Sequence, residues 1–492
     1  MIGTSDAHHH GSEGSHPRPG RSTTPLARQE ISPDVLEAGK KCQGAPDPAP
    51  DSQSNPVART LLRDGMSLQP RGPDRRKTVM PDPARAVTPI PFNKPHLTGR
   101  ELSNIAEAHL NAKLAGDGAF TRRCQGWLEQ LSPVSKALLT HSCTAALEMA
   151  AILCDIGPGD EVILPSYTFV STANAFVIRG AKPVFVDIRP DTLNIDERLI
   201  EAAITSRTRA IVPVHYAGVA CEMDRIMEIA EAHGLYVIED AAQGCMSSYK
   251  GRALGTIGHL GCYSFHETKN IISGEGGALM VNHPALVSRA EIIREKGTDR
   301  SRFLRGEVDK YTWVDIGSSY LPGEIIAAFL WAQMQCAEEI TRKRLAVWSR
   351  YDTAFRGRPW AQTPFVPDAC SHNGHLFYLL NRSGKPRDEV IAELRSMGVH
   401  TPFHYVPLHS SPFGKTRGEN VPHLPVTDRV AATLIRLPLY IDLSQAEQDR
   451  VIDAVSSLLT STGTARRRNS GTGLPSLPAP RPLAPVAARL AT

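Results

Sequence analysis

MDRIMEIAEAHGLYVIEDAAQ, residues 223–243, carries in one line the alternation on which the fold turns. The amphipathic stretch Met223–His233 reads as a helix, and Gly234 sits where a helix stop needs a residue at ease with positive φ. Leu235–Glu239 is an apolar run of strand length. Asp240 closes it, so its carboxylate should stand at the C-terminal edge of a sheet, where α/β proteins place their ligands. Helix, stop, strand and terminal acid make one unit of a three-layer α/β domain.

The same alternation recurs between Glu101 and Thr460. Strand signals fall at Ala137–Thr140, Glu161–Leu164, Val184–Asp187, Ala210–Val214, Tyr236–Glu239, Gly261–Ser264 and Ala278–Val281, with further helices at Thr144–Cys154 and Asp196–Ile204. A long helical region covers Gly323–Trp348. A smaller unit follows, with a strand near His375–Leu380, a helix near Arg387–Met397 and a final helix opened by the capping box Ser444-x-x-Glu447. The expected fold class is α/β: a large domain over residues 87–335 around a mostly parallel sheet, and a small C-terminal α+β domain over 336–461. Residues 1–86 are rich in Pro, Arg, Ser and Asp without periodicity, and 462–492 open on Arg466-Arg467-Arg468 and run into Pro and Ala. Both read as disordered extensions. Met80 stands just before Thr88-Pro-Ile-Pro-Phe-Asn-Lys94, so the upstream part is expected to be absent from the functional protein, an expectation that the intact mass of the native protein tests. His8-His9-His10 reads as a solvated tail rather than a metal tract.

Composition narrows the function. Of 492 residues 41% are apolar and 22% charged, the balance of a soluble globular chain, and a net charge of +4 gives no footprint for nucleic acid. Nine cysteines without CxxC pairs suggest neither a zinc site nor a disulfide framework, and fit reduced thiols in the cytoplasm. Apolar runs are strand-sized, the N-terminus lacks the apolar region of a signal peptide, and no membrane partner is expected.

Three segments follow strand signals in order: His141-Ser142-Cys143-Thr144-Ala145-Ala146-Leu147, Glu239-Asp240-Ala241-Ala242-Gln243 and Ser264-Phe265-His266-Glu267-Thr268-Lys269-Asn270. With Pro165-Ser166-Tyr167-Thr168-Phe169-Val170, Gly274-Glu275-Gly276-Gly277 and Phe403-His404-Tyr405-Val406-Pro407-Leu408-His409, they resemble the sugar-nucleotide aminotransferases of the DegT/DnrJ/StrS type, a branch of the fold-type I pyridoxal-phosphate enzymes. The resemblance covers roughly Thr88 to Ser461. It implies pyridoxal 5'-phosphate as cofactor and a homodimer with active sites at the subunit boundary.

Ser142-Cys143-Thr144 offers unpaired N–H groups and small hydroxyls at a helix start, the chemistry that holds a phosphate dianion; a plain N-cap at Ser142 or Thr144 is the competing reading. The resemblance assigns Ser264 to the same phosphate, Phe169 to stacking on the cofactor ring and Gln243 to its 3' oxygen. It pairs Asp240 with the protonated pyridine nitrogen, against the bland reading of a surface acid at a strand end. Lys269 is a surface lysine in any random context. In this one it is expected to bind the cofactor covalently and then shuttle the proton, which needs an amine able to lose its charge in a desolvated pocket. His266 reads as positional. Lys94, Tyr320 and His404 are candidate substrate groups, with His404 and His409 equally readable as buried, satisfied histidines. Gly116-Asp117-Gly118 and Gly274-Glu275-Gly276-Gly277 read as turns. No metal ligands are singled out.

Within the family, the likeness is strongest to the branch that aminates a dTDP-linked 4-keto-6-deoxy sugar, through PSYTFVSTANA at 165–175 and VPVHYAGVACEMD at 212–224. It implies L-glutamate as donor, dTDP-4-dehydro-6-deoxyglucose as acceptor, and a 4-amino sugar for cell-surface polysaccharide such as enterobacterial common antigen. Many relatives carry Tyr-Arg where this chain reads Gly317-Ser-Ser-Tyr-Leu321, so substrate contacts there do not carry over. Sugar dehydration, which related enzymes perform with histidine at the lysine position, is disfavoured by Lys269. Asp240, Gln243 and Lys269 together disfavour a non-catalytic, cofactor-binding regulatory protein.

Overall fold

The alternation builds a seven-stranded sheet in the order β1-β9-β8-β5-β4-β2-β3. The computed structural model describes residues 88–131, 134–416 and 422–465, so the expectations for 1–86 and Met80 lie outside the described residues, as does that for 462–492 beyond Ala465, where the last helix ends. In chain order the first elements are α1 (Glu101–Leu110), α2 (Ala119–Leu131), β1 (Lys136–Thr140), α3 (Cys143–Leu153), β2 (Glu161–Pro165), α4 (Val170–Val177) and β3 (Lys182–Val186). Then follow α5 (Glu197–Ile200), β4 (Thr208–Ile211), α6 (Met223–His233), β5 (Tyr236–Asp240), the short β6 (Ser248–Tyr249) and β7 (Arg252–Ala253), β8 (Leu260–Ser264) and β9 (Gly277–Val281). Only β9 runs against its neighbours β1 and β8; β8, β5, β4, β2 and β3 are parallel. Strands β2, β8 and β9 are buried along their whole length, as a sheet covered on both faces requires.

Successive residues divide between the two layers. Leu138, Val162, Leu164, Ile238 and Leu279 join the cluster formed with α3 and α4, while Leu139, Ile163, Val237 and Met280 face clusters on the other side. Helix α6 ends at Gly234 in the left-handed conformation with φ of 63°, as the sequence predicts. Two expectations shift. Strand β4 ends at Ile211, since Pro213 has no N–H to donate. The helix expected at Asp196–Ile204 is one α-turn with Asp196 as N-cap, then a 3₁₀ turn over Glu201–Ala203.

After α7 (Val287–Arg294) and α8 (Arg300–Leu304), the long helical region proves to be two helices, α9 (Glu324–Met334) and α10 (Ala337–Phe355). No Gly or Pro marks the break at Gln335-Cys336. The small unit adds β10 (Ala361–Gln362), β11 (Cys370–Ser371), β12 (Phe377–Asn381), α11 (Arg387–Ser396), α12 (Pro412–Thr416), α13 (Pro425–Thr433), β13 (Leu434–Leu437) and α14 (Gln445–Ala465). Its antiparallel sheet, β10-β12-β13, packs Phe377, Leu379, Ile435 and Leu437 onto α10, α11 and α14. The alternate residues Tyr378, Leu380 and Leu434 turn the other way, onto Tyr167 and Tyr216 from the loops of the large sheet. The capping box forms as read: Glu447 N–H donates to Ser444 Oγ (3.2 Å) and Ser444 N–H to Glu447 Oε2 (2.9 Å).

Glu324 ties α9 to α2. Its buried carboxylate accepts from Gly118 N–H (3.0 Å), Phe120 N–H (2.8 Å) and Thr121 N–H (3.0 Å), and from the Thr121 hydroxyl. It thus caps the orphan donors at the start of α2. A Cβ at Gly118 would overlap that carboxylate, so the glycine loop is a close-packed turn. Glu324→Ala leaves these donors buried and unmet. It is expected to cost on the order of 3 kcal/mol, read as a lowered denaturant midpoint at unchanged slope; an unchanged midpoint contradicts this account of the cap.

Candidate active site

The C-terminal ends of the parallel strands converge on one edge, and four of the quoted segments meet there. Strand β1 delivers Ser142 as N-cap of α3, its hydroxyl accepting Ala145 N–H at 3.1 Å. With Ala146 N–H bonded to Ser142 O, the first helical N–H groups, those of Cys143 and Thr144, have no intrahelical acceptor. The Thr144 hydroxyl bonds that of Ser171 at 2.8 Å, which places the first turn of α4 beside the start of α3. Gly277, opening β9 at the same edge, has no room for a Cβ, which would overlap Ser142 and the Cys143 nitrogen. Ser142 is therefore an N-cap, as one of the two readings of that segment had it, and it stands beside the bare N–H groups of Cys143 and Thr144. Ser264 ends β8 nearby in the sheet, 7% exposed, with its Oγ accepting His266 N–H at 3.4 Å.

Asp240 stands at the end of β5, 5% exposed. Oδ2 accepts the Thr172 hydroxyl at 2.7 Å and Oδ1 the Ala242 N–H at 3.1 Å. Among the described residues no Lys, Arg or His nitrogen forms an ion pair with it. A buried carboxylate without a cation is costly, and it keeps acceptor capacity free. Glu239, one residue earlier, is fully buried and points elsewhere, accepting from Gly255 N–H (2.7 Å), Ile257 N–H and Gly258 N–H (both 2.6 Å) and from His215 Nε2 (2.8 Å). His215 Nδ1 accepts Cys221 N–H at 3.2 Å, so the ring carries its proton on Nε2 and donates it to Glu239. Glu239 thus fixes the strand end that presents Asp240.

Lys269 lies in a turn after β8, its N–H bonded to His266 O at 2.9 Å. Its Nζ makes no hydrogen bond or ion pair with a described residue. Burial lowers its pKa below the ordinary lysine value; the negative forms of Cys143 and Asp240 oppose this, and the Arg436 guanidinium adds to it. Those interactions place Lys269 with Cys143 and Asp240. Burial in turn pushes the Cys143 thiol well up, so it stays protonated. Asn270 anchors the turn to the small unit: its Nδ2 donates to Asn373 O (2.8 Å) and its Oδ1 accepts from His375 Nδ1 (2.9 Å). Asn373 Nδ2 bonds Gln243 O (2.8 Å) and Cys245 O (2.7 Å), linking the lysine turn to the Asp240 loop.

A wall of aromatic and imidazole groups closes the other side. Gln243 Oε1 accepts Ala217 N–H (2.7 Å) and its Nε2 donates to the Tyr405 hydroxyl (2.9 Å). His404 stacks on Tyr405 at 3.7 Å between centroids, and its Nδ1 bonds the Tyr216 hydroxyl at 2.7 Å. Burial, and then the charge of Arg436, hold His404 neutral, well below the usual imidazole range. Phe169, the N-cap residue of α4, is 57% exposed.

Not every residue singled out in the sequence joins this cluster. Lys94 reaches Asp442 at 4.0 Å with 59% of its side chain exposed. Tyr320 is buried in the core on α3, where Glu148 raises its hydroxyl further after burial, and its ring lies 6.2 Å from that of His141. His266 bonds the Thr268 hydroxyl at 2.9 Å within its own turn. His409 is a buried link, Nδ1 to the Ser166 hydroxyl at 2.7 Å and Nε2 to Asp428 at 3.3 Å. Thr172, Tyr216, Tyr405, Asn270, His375 and Arg436 were not assigned roles; of these Thr172, Tyr216, Asn270 and Tyr405 lie in the quoted segments 165–175, 212–224, 264–270 and 403–409.

A cradle of N–H groups at a helix start, a buried acid with no ion pair to a described residue and a lysine whose pKa burial lowers fit a group bearing a phosphate, a basic ring nitrogen and an aldehyde. Fold and site define an aminotransferase of the pyridoxal-phosphate kind. The profile of the DegT/DnrJ/EryC1/StrS aminotransferase family matches residues 96–456, and the chain belongs to that family. It is 34% identical over 381 residues to the spore coat polysaccharide biosynthesis protein SpsC of Bacillus subtilis (strain 168), covering 75% of this chain and 97% of that one. Among solved structures it is similar to DesV from S. venezuelae, with 30% identity, a TM-score of 0.70, and 76% and 99% of the two chains covered. A putative sugar aminotransferase of Streptococcus pneumoniae, solved in its PMP form, gives 26% identity, a TM-score of 0.71 and coverage of 77% and 100%. The same protein is known in a PLP form, and pyridoxal phosphate is the cofactor of this chain.

Two outcomes test the geometry. Because burial depresses the Lys269 amine, its reactive neutral form exists at lower pH than for a free lysine. Cofactor incorporation into stripped protein should therefore rise with an apparent pKa below the ordinary value of about 10.4; a midpoint at that value contradicts the burial argument. Thr172→Val removes the hydroxyl from Asp240 and is expected to weaken cofactor retention about 10- to 100-fold in dialysis, the loss of about one hydrogen bond to a charged group. Retention equal to wild type would show that bond to be idle.

Proposed function

We propose that the chain transfers the amino group of L-glutamate to C4 of dTDP-4-dehydro-6-deoxy-D-glucose, giving 2-oxoglutarate and dTDP-4-amino-4,6-dideoxy-D-galactose. Aminotransfer rests on the family; the particular acceptor rests on one observation. The two stretches most like dTDP-4-amino-4,6-dideoxygalactose transaminases, 165–175 and 212–224, supply Thr172 to Asp240, Tyr216 to His404 and the Ala217 N–H to Gln243. Their likeness therefore falls on residues lining the site. The polysaccharide role in the name of the Bacillus relative supports a product destined for a surface glycan.

Bound pyridoxal phosphate supplies an electron sink for the pair released when the donor's α-carbon loses its proton. The chain does the rest. The N–H groups of Cys143 and Thr144, the Ser142 and Ser264 hydroxyls and the dipole of α3 hold the phosphate. Asp240 keeps a proton on the ring nitrogen, and Thr172 and Ala242 N–H fix the carboxylate that does so. Phe169 offers its face to the ring, and Gln243, held by Ala217 and Tyr405, has an Nε2 hydrogen left for the ring oxygen. Lys269 Nζ, its pKa lowered by burial, would hold the cofactor covalently until the donor's amine displaces it, and would then carry the proton from the donor's α-carbon to the cofactor carbon on the far side of the shared nitrogen. His404, kept neutral, lines the substrate side without adding a competing positive charge. We propose further that the enzyme is a cytoplasmic homodimer with shared active sites; Phe169 and Val170, 57% and 48% exposed at the site, are surfaces a second subunit would cover. Among the described residues no helix is long and apolar enough to cross a membrane.

The test is the visible spectrum of cofactor-loaded protein. L-Glutamate should bleach the band of the lysine-bound cofactor, the keto sugar should restore it, and Lys269→Ala should have no such band. Restoration only by a different keto sugar overturns the acceptor, and an unchanged spectrum with glutamate overturns the donor. Asp240→Asn is expected to lower kcat at least about 100-fold, since removing one partner of a buried charge pair costs about 3–5 kcal/mol; a loss under tenfold contradicts the assignment of Asp240.

A further inference from the structure

Tyr216 is fixed at both its backbone and its ring. Its N–H donates to Asn194 Oδ1 at 2.8 Å, and the Nδ2 of that buried asparagine reaches the carbonyls of Val219 (3.1 Å) and Ala220 (2.7 Å). The buried ring packs against Tyr167 and Tyr378, with centroids 5.5 and 5.8 Å away. The result is one well-placed hydroxyl, 2.7 Å from His404 Nδ1. That hydroxyl makes no other hydrogen bond with a described residue, and the Tyr167 hydroxyl is enclosed and unmet. Were the ring proton on Nδ1, the phenol hydrogen would have no acceptor. A neutral imidazole has one donor nitrogen and one acceptor, so Tyr216 donates, Nδ1 accepts and the ring proton sits on Nε2.

His404 belongs to the reaction site by direct contact. Its ring stacks on Tyr405 at 3.7 Å and 21°, and the Tyr405 hydroxyl accepts from Gln243 Nε2 at 2.9 Å. Gln243 lies on the loop that follows Asp240, and its carbonyl is bonded by Asn373, whose own carbonyl anchors Asn270 beside Lys269. Nε2 makes no hydrogen bond with a described residue. It is not enclosed as the Tyr167 hydroxyl is, so it opens on space that a substrate can enter. Tyr216 thus settles what His404 offers there, which is an N–H and no lone pair.

We propose that Tyr216 locks His404 in the Nε2–H tautomer and so withholds a base from the acidic C–H groups of the acceptor sugar. This deepens the reading above and rests on it. A keto group at C4 acidifies the hydrogens on C3 and C5. An imidazole with a lone pair on Nε2 takes one of them: the C–H bond breaks, its electron pair moves onto the keto oxygen as an enolate, and the proton goes to Nε2. Return of a proton to either face of that carbon then scrambles the sugar. With hydrogen already on Nε2 the step has no proton acceptor, and the ring can only donate to a substrate oxygen. Tyr216 is a positioning residue, acting through His404. The hydrogen bond it makes biases the two tautomers about 5- to 10-fold.

The experiment runs cofactor-loaded protein with L-glutamate and dTDP-4-dehydro-6-deoxyglucose in D₂O and reads deuterium at C3 and C5 of the 4-amino product by NMR, against keto sugar kept for equal times without enzyme. Label is counted per molecule of product, so the yield of active protein does not enter. Wild type should add no label beyond the enzyme-free sugar. Tyr216→Phe should carry at least about fivefold more label at C3 or C5 than wild type, and the double variant Tyr216→Phe/His404→Gln should fall back to the wild-type level. Equal labelling in wild type and Tyr216→Phe, or extra label that persists without His404, overturns the proposal and leaves Tyr216 a packing residue. If Tyr216→Phe forms no product, the ¹⁵N resonances of His404 in wild type decide, assigned by their loss in His404→Gln: a protonated Nε2 and a bare Nδ1 are expected, and the reverse overturns the lock. Wild type that forms no 4-amino sugar from this acceptor sinks the acceptor reading instead, and the same resonances still decide the tautomer.

Discussion

One constraint organises the molecule: the Asp240 carboxylate is buried at a sheet edge and forms no ion pair with any described residue. An isolated buried carboxylate is costly in free energy, and a hydroxyl and one N–H offset only part of that. Thr172 and Ala242 supply those two contacts. On the proposed reading a protonated ring nitrogen would meet the remaining deficit, and the cofactor would complete an electrostatic arrangement that the fold leaves open. The lysine, lowered by burial, is the other half of the same design: one group needs a positive partner, the other needs to shed its own charge.

Holding such a pair in place takes more structure than the pair itself. Glu239 turns away from Asp240 and takes up three N–H groups from the 255–258 turn and the Nε2 proton of His215. Adjacent residues of one strand thus divide the work, one anchoring and the other presenting. The small unit provides the opposite wall. Asn373 bonds the Asp240 loop, and Asn270 and His375 bond each other beside Lys269, so the two catalytic candidates are referred to one loop. Tyr378, Tyr216 and Tyr167 continue that contact as an aromatic layer. A site shared between sheet edge and small unit lets substrate contacts come from both.

What the sequence disclosed followed from how local its signals are. The order of strands and helices was readable because burial on both faces leaves continuous apolar runs, and Gly234 and the Ser444–Glu447 box are chemical stops and starts. Asp240 and Lys269 were readable because one closes a strand and the other follows a strand end within a short motif. The break at Gln335-Cys336 was not, as no residue there forbids a helix. Arg436 lay outside any motif, and only the pairing of β12 with β13 sets it across from Tyr378. Tyr405 lay within a quoted segment, but it gains its meaning from Gln243, 162 residues away. Lys94 and Tyr320 show the converse. Position near the site in sequence did not carry one past a solvent-exposed ion pair with Asp442, or the other out of the core on α3.

The central claim is that Asp240 holds a proton on the cofactor's ring nitrogen. The most direct measurement is the ¹⁵N chemical shift of ring-labelled pyridoxal phosphate bound to wild type and to Asp240→Asn. The account predicts a protonated nitrogen in wild type and an unprotonated one in the variant at the same pH. An unprotonated nitrogen in wild type, or the same shift in both proteins, would contradict it.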